Sequence, residues 1–286
     1  LIFITNYVII FVAQKEYRIK KEACIMNIVV LIKQVPAVSD IKLDAENNNL
    51  VRVGAPSILN PVDKNALEAA LAIKDAVGGT ITVMTMGTAL AADALRDAIA
   101  MGADEGILLT DRAMAGSDTL ATGKILSKAI EKVGAVDLVF CGKKSTDGDT
   151  GQIPPAVAER LGMNLVTYAE SVTVEGTTLK ATRQNQGGME TVEAQLPAVC
   201  SVMETANVPR TPNIRGKMKA KKAVFTVWAL ADIGLDATEA GTEGSATKVT
   251  EVFAPEKHAT GTMISGSNLS EAVDNLFAEL TAKKLV

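Results

Sequence analysis

Histidine is almost missing from this 286-residue chain, which has only His258. A triad built on imidazole and a multi-histidine metal centre are both excluded. Cysteine is scarce too. Cys24, Cys141 and Cys200 lie far apart, are odd in number and form no C-x-x-C, so they make no disulfide framework. A reducing cytoplasm is the location this usage predicts. Aromatic residues make up 3%, so a core must be built from Ala, Val, Ile, Leu and Met. Nor is there an excess of basic charge. The net charge of −4 argues against a dedicated nucleic-acid binder.

Long hydrophobic runs are also lacking. The opening stretch LIFITNYVIIFVAQKEYRIKKEACI (residues 1–25) is apolar for about 13 residues, short of the roughly 20 that span a bilayer. Its basic residues follow the apolar part, the reverse of a secretory signal. We read residues 1–25 as an upstream extension outside the fold, with a membrane anchor as the alternative. No membrane insertion is expected. Met26 then opens MNIVVLIKQVP, a clean first strand.

What is present is an alternation of short apolar runs and amphipathic stretches. NIVVLIK (27–33), TITVMTMG (80–87), GILLTD (106–111) and VDLVFCG (136–142) read as strands buried on both faces. Between them lie helical patterns. The first starts at Asn60 as N-cap with Pro61 at N1, and repeats Ala66, Leu67, Ala70, Leu71 and Ile73. Another is capped by Ser117 or Asp118. A third, GQIPPAVAERLG, has prolines in its first turn. This βαβα order predicts an α/β fold with a parallel sheet and right-handed crossovers. After Gly162 a hairpin around Gly176 and two more strands are expected. The domain reading is a nucleotide-binding α/β domain over 26–222, including a docking loop at 205–222, and a C-terminal arm over 223–286.

In an open parallel sheet a ligand sits outside the carboxyl ends of the strands. KQVP (33–36), Met86-Gly87, DRAMAGSDTLAT (111–122) and GKKSTDGDTGQ (142–152) lie at those ends. The convergence points to a nucleotide, although each stretch alone reads as a turn or a cap. Neither G-x-G-x-x-G nor G-x-x-x-x-G-K-[ST] occurs. DGDTG lacks the later ligands of a calcium loop. No nucleophile, base and orienting group form a set, so no catalytic residue and no metal ligand is assigned. The pattern is that of a cofactor holder. GKKSTDGDTGQ is the puzzle, because a glycine-rich phosphate loop should not carry Asp147 and Asp149. A second stretch, VPRTPNIRGKMKAKK (208–222), reads either as a solvated basic loop or as a docking loop with one apolar anchor, Ile214. RNA binding is disfavoured by the absence of any aromatic there.

From Met26 onward the chain resembles the β subunit of electron-transfer flavoproteins. The likeness rests on IKQVP, NNLVR, NPVDKNALEAAL, MGADEGILLTDRAMAGSDTLAT, GKKSTDGDTGQ, LPAV and IRGKMKAKK, in that order. It implies a Rossmann-like α/β/α fold, an obligate α-subunit partner carrying FAD, and an arm that wraps that partner. Mitochondrial-type members hold AMP at the β-subunit site. Electron-bifurcating members of anaerobic bacteria hold FAD there, and DRAMAGSDTLAT with the compact DGDTGQ resembles that group. In it the β-site FAD takes a hydride from NADH. One electron goes to ferredoxin or flavodoxin. The other passes through the α-subunit FAD to an acyl-CoA dehydrogenase such as a butyryl-CoA dehydrogenase. This sequence departs mildly, with Ser145-Thr146 where relatives have Ala-Ile and GQIP where they have AQVG.

The resemblance also implies site residues. Leu31 and Lys33 would lie on the adenosine side, lined by Asn60, Pro61, Val62, Asp63, Met86 and Gly87. Asp118, Thr119 and Thr122 would meet phosphate or ribose. Gly142, Lys143, Lys144, Ser145, Thr146, Asp147, Gly148, Asp149, Thr150, Gly151 and Gln152 would wrap the pyrophosphate and ribose. Ile214 would anchor a dehydrogenase, with Arg215 and Lys217 as its basic rim. Two other readings stand beside this one. The first is an AMP-bearing, non-bifurcating β subunit. The second is a stand-alone nucleotide-binding module.

Overall fold

The structure, a computed structural model, describes residues 26–37, 56–250 and 261–286. The upstream extension 1–25, the NNLVR stretch at 48–52 and His258 lie outside the described residues.

Alternation of strand and helix builds the main unit. The strands and helices, in order, are β1 (Met26–Leu31), β2 (Gln34–Pro36), β3 (Ser57–Leu59), α1 (Pro61–Val77), β4 (Gly79–Met86), α2 (Ala92–Met101), β5 (Glu105–Leu109), α3 (Thr119–Val133) and β6 (Leu138–Gly142). There follow α4 (Ile153–Leu161), β7 (Asn164–Glu175), β8 (Thr178–Asn185), β9 (Gly188–Gln195), β10 (Ala198–Val202), α5 (Ile214–Lys222) and β11 (Thr226–Trp228). The main sheet runs β11-β5-β4-β1-β6-β10-β7-β8-β9. It is parallel from β11 to β7, and β8 and β9 extend it antiparallel. Val29, Val30, Val139, Val199 and Cys200 are wholly buried, as central parallel strands require.

Helices cover both faces. Ala66, Leu67, Ala70 and Leu71 of α1 and Leu95, Ala98 and Ile99 of α2 pack with Ile28, Val30, Ile81 and Val83 on one side. Ile125, Ala129 and Ile130 of α3 and Val157 of α4 pack with Val29, Leu31 and Met84 on the other. This is a Rossmann-like α/β/α sandwich. Small residues let the layers close up with few aromatics, and Phe140 is the largest fully buried side chain among the described residues. The chain leaves β1 toward β4 and β5, then returns on α3 to the far side of β1. The switch point therefore lies between β1 and β6.

Two expectations need correction. Residues 208–222 read as a loop, yet Ile214–Lys222 is α5, capped by Asn213 Oδ1, which accepts the Gly216 N–H at 2.8 Å. It lies so close on α2 that a Cβ on Gly216 would stand 2.2 Å from the Ala100 carbonyl oxygen. Asn60 precedes α1 with Pro61 at N1, but its side chain makes no cap bond. It is used elsewhere, as described below.

Residues 223–250 pack on the main unit through Phe225, Trp228, Leu230, Ile233 and Leu235. The chain divides after Thr250. Within the second unit, α6 (Leu269–Ala282) carries exposed Leu269, Val273, Leu276 and Phe277 at helical spacing. Among the described residues no helix is long and apolar enough to cross a membrane.

Candidate functional site

Parallel pairing brings the carboxyl ends of β5, β4, β1, β6 and β10 to one edge, at Leu109, Met86, Leu31, Gly142 and Val202. Every loop singled out in the sequence as a ligand contact leaves from this edge.

A buried polar knot ties three of those loops together. Asp63, in the first turn of α1, is 5% exposed. Its Oδ2 accepts the Lys33 N–H at 2.8 Å and its Oδ1 accepts the Gly142 N–H at 3.1 Å. Burial pushes its carboxyl up to about 7, against the pull of Asn60, the two N–H groups and the Lys33 charge. Asn60, fully buried, donates from Nδ2 to the Lys144 carbonyl at 3.1 Å and accepts the Thr146 N–H at 3.3 Å. The Asn60 amide is engaged with the loop backbone and not with the free N–H groups of α1. Gly142 fits only without a side chain, since a Cβ would lie 2.5 Å from Asp63 Oδ1. Asn60, Asp63 and Gly142 are thus spent on shaping the loop. Val62 is buried, Pro61 is exposed, and Leu31 packs in the core beside Met84.

The loop's aspartates have partners of their own. Lys33 Nζ lies 2.7 Å from Asp147 Oδ1 and 3.4 Å from Ser145 Oγ. Burial opposes ionisation of Asp147, but Lys33, the Ser145 hydroxyl and its own N–H together outweigh it and the carboxyl stays below its ordinary value. Lys144 pairs with Asp149, a hydrogen bond that raises the lysine pKa. Lys143 reaches Glu204 at 2.9 Å. The apparent excess of negative charge is therefore cancelled inside the loop and at the end of β1.

Beyond these pairs lie backbone donors that the loop itself does not use. Asp149 has φ +54 and Gly151 φ +64, and Gln152 follows at φ −89, ψ −15. A left-handed residue followed by a right-handed one points consecutive N–H groups to one side, the geometry of an anion nest. The N–H groups of Gly148, Thr150, Gly151, Gln152 and Ile153 meet no acceptor among the described residues. Gln152 precedes α4 without a side-chain cap, and its Oε1 accepts the Thr119 hydroxyl. That contact joins the starts of α3 and α4.

The start of α3 differs. Asp118 Oδ1 accepts the Ala121 N–H at 3.0 Å, while Oδ2 accepts the N–H and hydroxyl of Thr247, both at 2.9 Å. The Ala121 N–H leads in holding its carboxyl down at about 2. Ser245 Oγ accepts the Asp118 N–H at 2.8 Å, and Ser117 Oγ accepts that of Gly241. Sequence reasoning missed this strap, because Ser245 and Thr247 sit in a featureless Gly/Thr/Ser stretch. Thr122 is half-buried on α3, and Met86 and Gly87 end β4, where the Gly87 N–H donates to the Leu109 carbonyl at 3.0 Å. No group of three His, Cys, Asp or Glu that could hold a metal occurs among the described residues.

On the far side of α1, Arg210 grips Glu68 with Nε and Nη2 at 2.9 Å each, and Nη2 also reaches Asp75 at 2.9 Å. This fork fixes the segment that presents α5. Ile214 is 79% exposed at its first turn, and Arg215 and Lys217 are exposed beside it.

Residues 48–233 match the family described as Electron transfer flavoprotein domain. The chain is 45% identical over 262 residues to an electron transfer flavoprotein subunit beta of Thermoanaerobacterium thermosaccharolyticum, covering 91% of this chain and 100% of the relative. The chain belongs to the electron transfer flavoprotein β-subunit family. Another member, the Caffeyl-CoA reductase-Etf complex subunit CarD of Acetobacterium woodii, is 42% identical over 91% of this chain and 100% of its own length. Protein FixA of Azorhizobium caulinodans is 42% identical over 89% of this chain and 94% of its own. A β subunit of this family implies an α-subunit partner and a role in electron transfer. The exposed apolar stripe of α6 belongs to the C-terminal unit of such a subunit.

Proposed function

We propose that the crevice outside β1, β4 and β6 holds FAD, and that this β subunit passes electrons from NADH by bifurcation. One goes to ferredoxin or flavodoxin. The other goes through the α-subunit FAD to an acyl-CoA dehydrogenase such as a butyryl-CoA dehydrogenase. The observation that carries the reading is the set of N–H groups of Gly148, Thr150, Gly151, Gln152 and Ile153, left without acceptors among the described residues in a charge-balanced loop. A diphosphate needs several donors and no facing carboxylate. These residues fit one. When bound, FAD supplies the hydride-accepting and electron-dividing chemistry.

The chain's own residues do the holding. Gly148 and Thr150 to Ile153 would donate to the diphosphate. Lys33, Asn60 and Asp63 keep the loop in register with β1 and β6. Asp118, Thr119 and Thr122 would flank the ligand at the start of α3, with Leu31, Met86 and Gly87 toward the adenosine. Ile214 would seat in a pocket of the dehydrogenase, and Arg215 and Lys217 would meet an acidic rim. The α6 stripe would lie against the α subunit. A cytoplasmic location accords with the buried free thiols of Cys141 and Cys200.

The CarD relative carries the name of a reductase-Etf complex, which supports a direct assembly with a dehydrogenase partner. The test is to purify the heterodimer, denature it, and count the nucleotides released. The reading requires FAD in both subunits. AMP at the β site would instead support the non-bifurcating alternative.

A further inference from the structure

Three non-glycine residues among those described have φ in the left-handed region: Asp149, Tyr168 and Lys284. Two of them border the same loop. Tyr168, with φ +58, stands near the start of β7, and a Cβ placed on Gly151 would lie 3.5 Å from its hydroxyl. The Gly151 N–H is one of those without an acceptor among the described residues, and Gly151 directly follows Asp149 and Thr150.

A bulky side chain at positive φ is strained, and such strain persists only where the surroundings impose it. Here they do. The register of β10 against β7 slips between Cys200 and Val202, and that of β7 against β8 slips between Ala169 and Ser171. The Tyr168 N–H is pinned at 2.9 Å to the hydroxyl of Ser201, which is fully buried. Bulges of this kind re-aim a side chain. The re-aiming does not serve the core, because Tyr168 is 46% exposed. Its hydroxyl instead lies at the Gly151 edge of the loop.

We propose that Tyr168 is a ligand-contacting residue whose hydroxyl donates to the diphosphate held by the nest at 148–153. This rests on the reading of the crevice as a nucleotide site and adds a contact from outside the loops. The chemistry selected is a nucleotide with a phosphoryl oxygen facing α4. A tyrosine hydroxyl supplies a neutral donor where Lys143 and Lys144 are committed to Glu204 and Asp149.

The test uses the heterodimer with its α subunit, comparing wild type, Tyr168→Phe and Tyr168→Gly. Nucleotide retained at the β site is counted after denaturation, and its Kd is measured by rebinding FAD, and separately AMP, to stripped protein. Tyr168→Phe should raise Kd by about tenfold, the loss of one hydrogen bond to a charged group. Tyr168→Gly should raise Kd at least as much, while the melting temperature of the stripped protein rises through relief of strain. Unchanged Kd in both variants, with nucleotide retained by wild type, overturns the proposal and leaves the nucleotide reading intact. A lower melting temperature of Tyr168→Gly at unchanged Kd also overturns it, by assigning the side chain to packing. A wild-type β subunit that holds no nucleotide overturns the reading itself.

Discussion

Lys33 Nζ and Asp147 Oδ1 lie 2.7 Å apart, joining the residues just beyond β1 to the loop that follows β6. The pair bridges the switch point of the sheet, where a ligand is to be expected. It also answers the charge puzzle of GKKSTDGDTGQ. The carboxylate is neutralised by a lysine from the neighbouring loop.

Removing that lysine should open the loop. Lys33→Met leaves Asp147, whose side chain is 14% exposed, without its cation. The Asp147 pKa should rise from its lowered value toward or past the ordinary one, readable by carbon-detected NMR titration. A depressed carboxyl contributes stability above its ordinary pKa and loses it as pH falls through the folded value. The variant should therefore show less acid destabilisation than wild type. An unchanged Asp147 titration would contradict the pairing.

Asp149→Ala tests the companion pair. It frees Lys144 and takes away a residue at φ +54. Nucleotide retention at the β site should weaken, while the α-subunit FAD stays bound. Equal retention at both sites would show that the shape of the loop does not depend on Asp149.

Asp63 has the opposite sign. Its folded pKa of about 7 stands above the ordinary 3.8, so folding takes up a proton between those values. Stability from this group is full below about pH 4 and is lost as pH rises through about 7. Asp63→Asn cannot titrate. The stability of wild type relative to the variant should fall across that window, by at most about 4 kcal/mol, and then level off. Denaturant midpoints measured from pH 4 to 8 would show it. A flat difference would mean that Asp63 stays ionised throughout.

Thr247→Val removes the hydroxyl that Asp118 accepts, and keeps the backbone N–H. The Asp118 pKa should rise from about 2, and the β-site nucleotide should dissociate faster if this strap positions α3. Dissociation unchanged in stopped flow would confine the strap to fold stability.

Ile214→Ala should leave the heterodimer and its cofactors intact and weaken electron transfer to the dehydrogenase. Truncating an anchor of this kind costs on the order of 2 kcal/mol of binding. The effect should appear in the KM for the dehydrogenase. Full transfer by the variant at low dehydrogenase concentration would remove Ile214 from the interface.

Much of the α/β unit was legible because its helices are strongly periodic and its central strands are unbroken apolar runs. Ala66, Leu67, Ala70, Leu71 and Ile73 of α1 are all buried, as their spacing implied. The loops at the strand ends could be placed because parallel strands leave no other edge for them. The insertion of β10 between β6 and β7 was not legible, since its partners lie far off in sequence. Helix α5 was hidden by Pro209, Pro212, Gly216 and a run of lysines. It forms because Gly216 lets it press onto α2, so tertiary contact overrides weak local preference. Asn60 misled because a good capping side chain is equally good at holding a loop. Tyr168 gave no signal at all, because a bulge is a property of pairing and not of local composition.

The central claim is that the crevice beside Lys33 and Asp147 holds FAD. Counting nucleotides released from denatured, purified heterodimer tests it most directly. The account predicts two FAD and no AMP per heterodimer; one FAD with one AMP would contradict it.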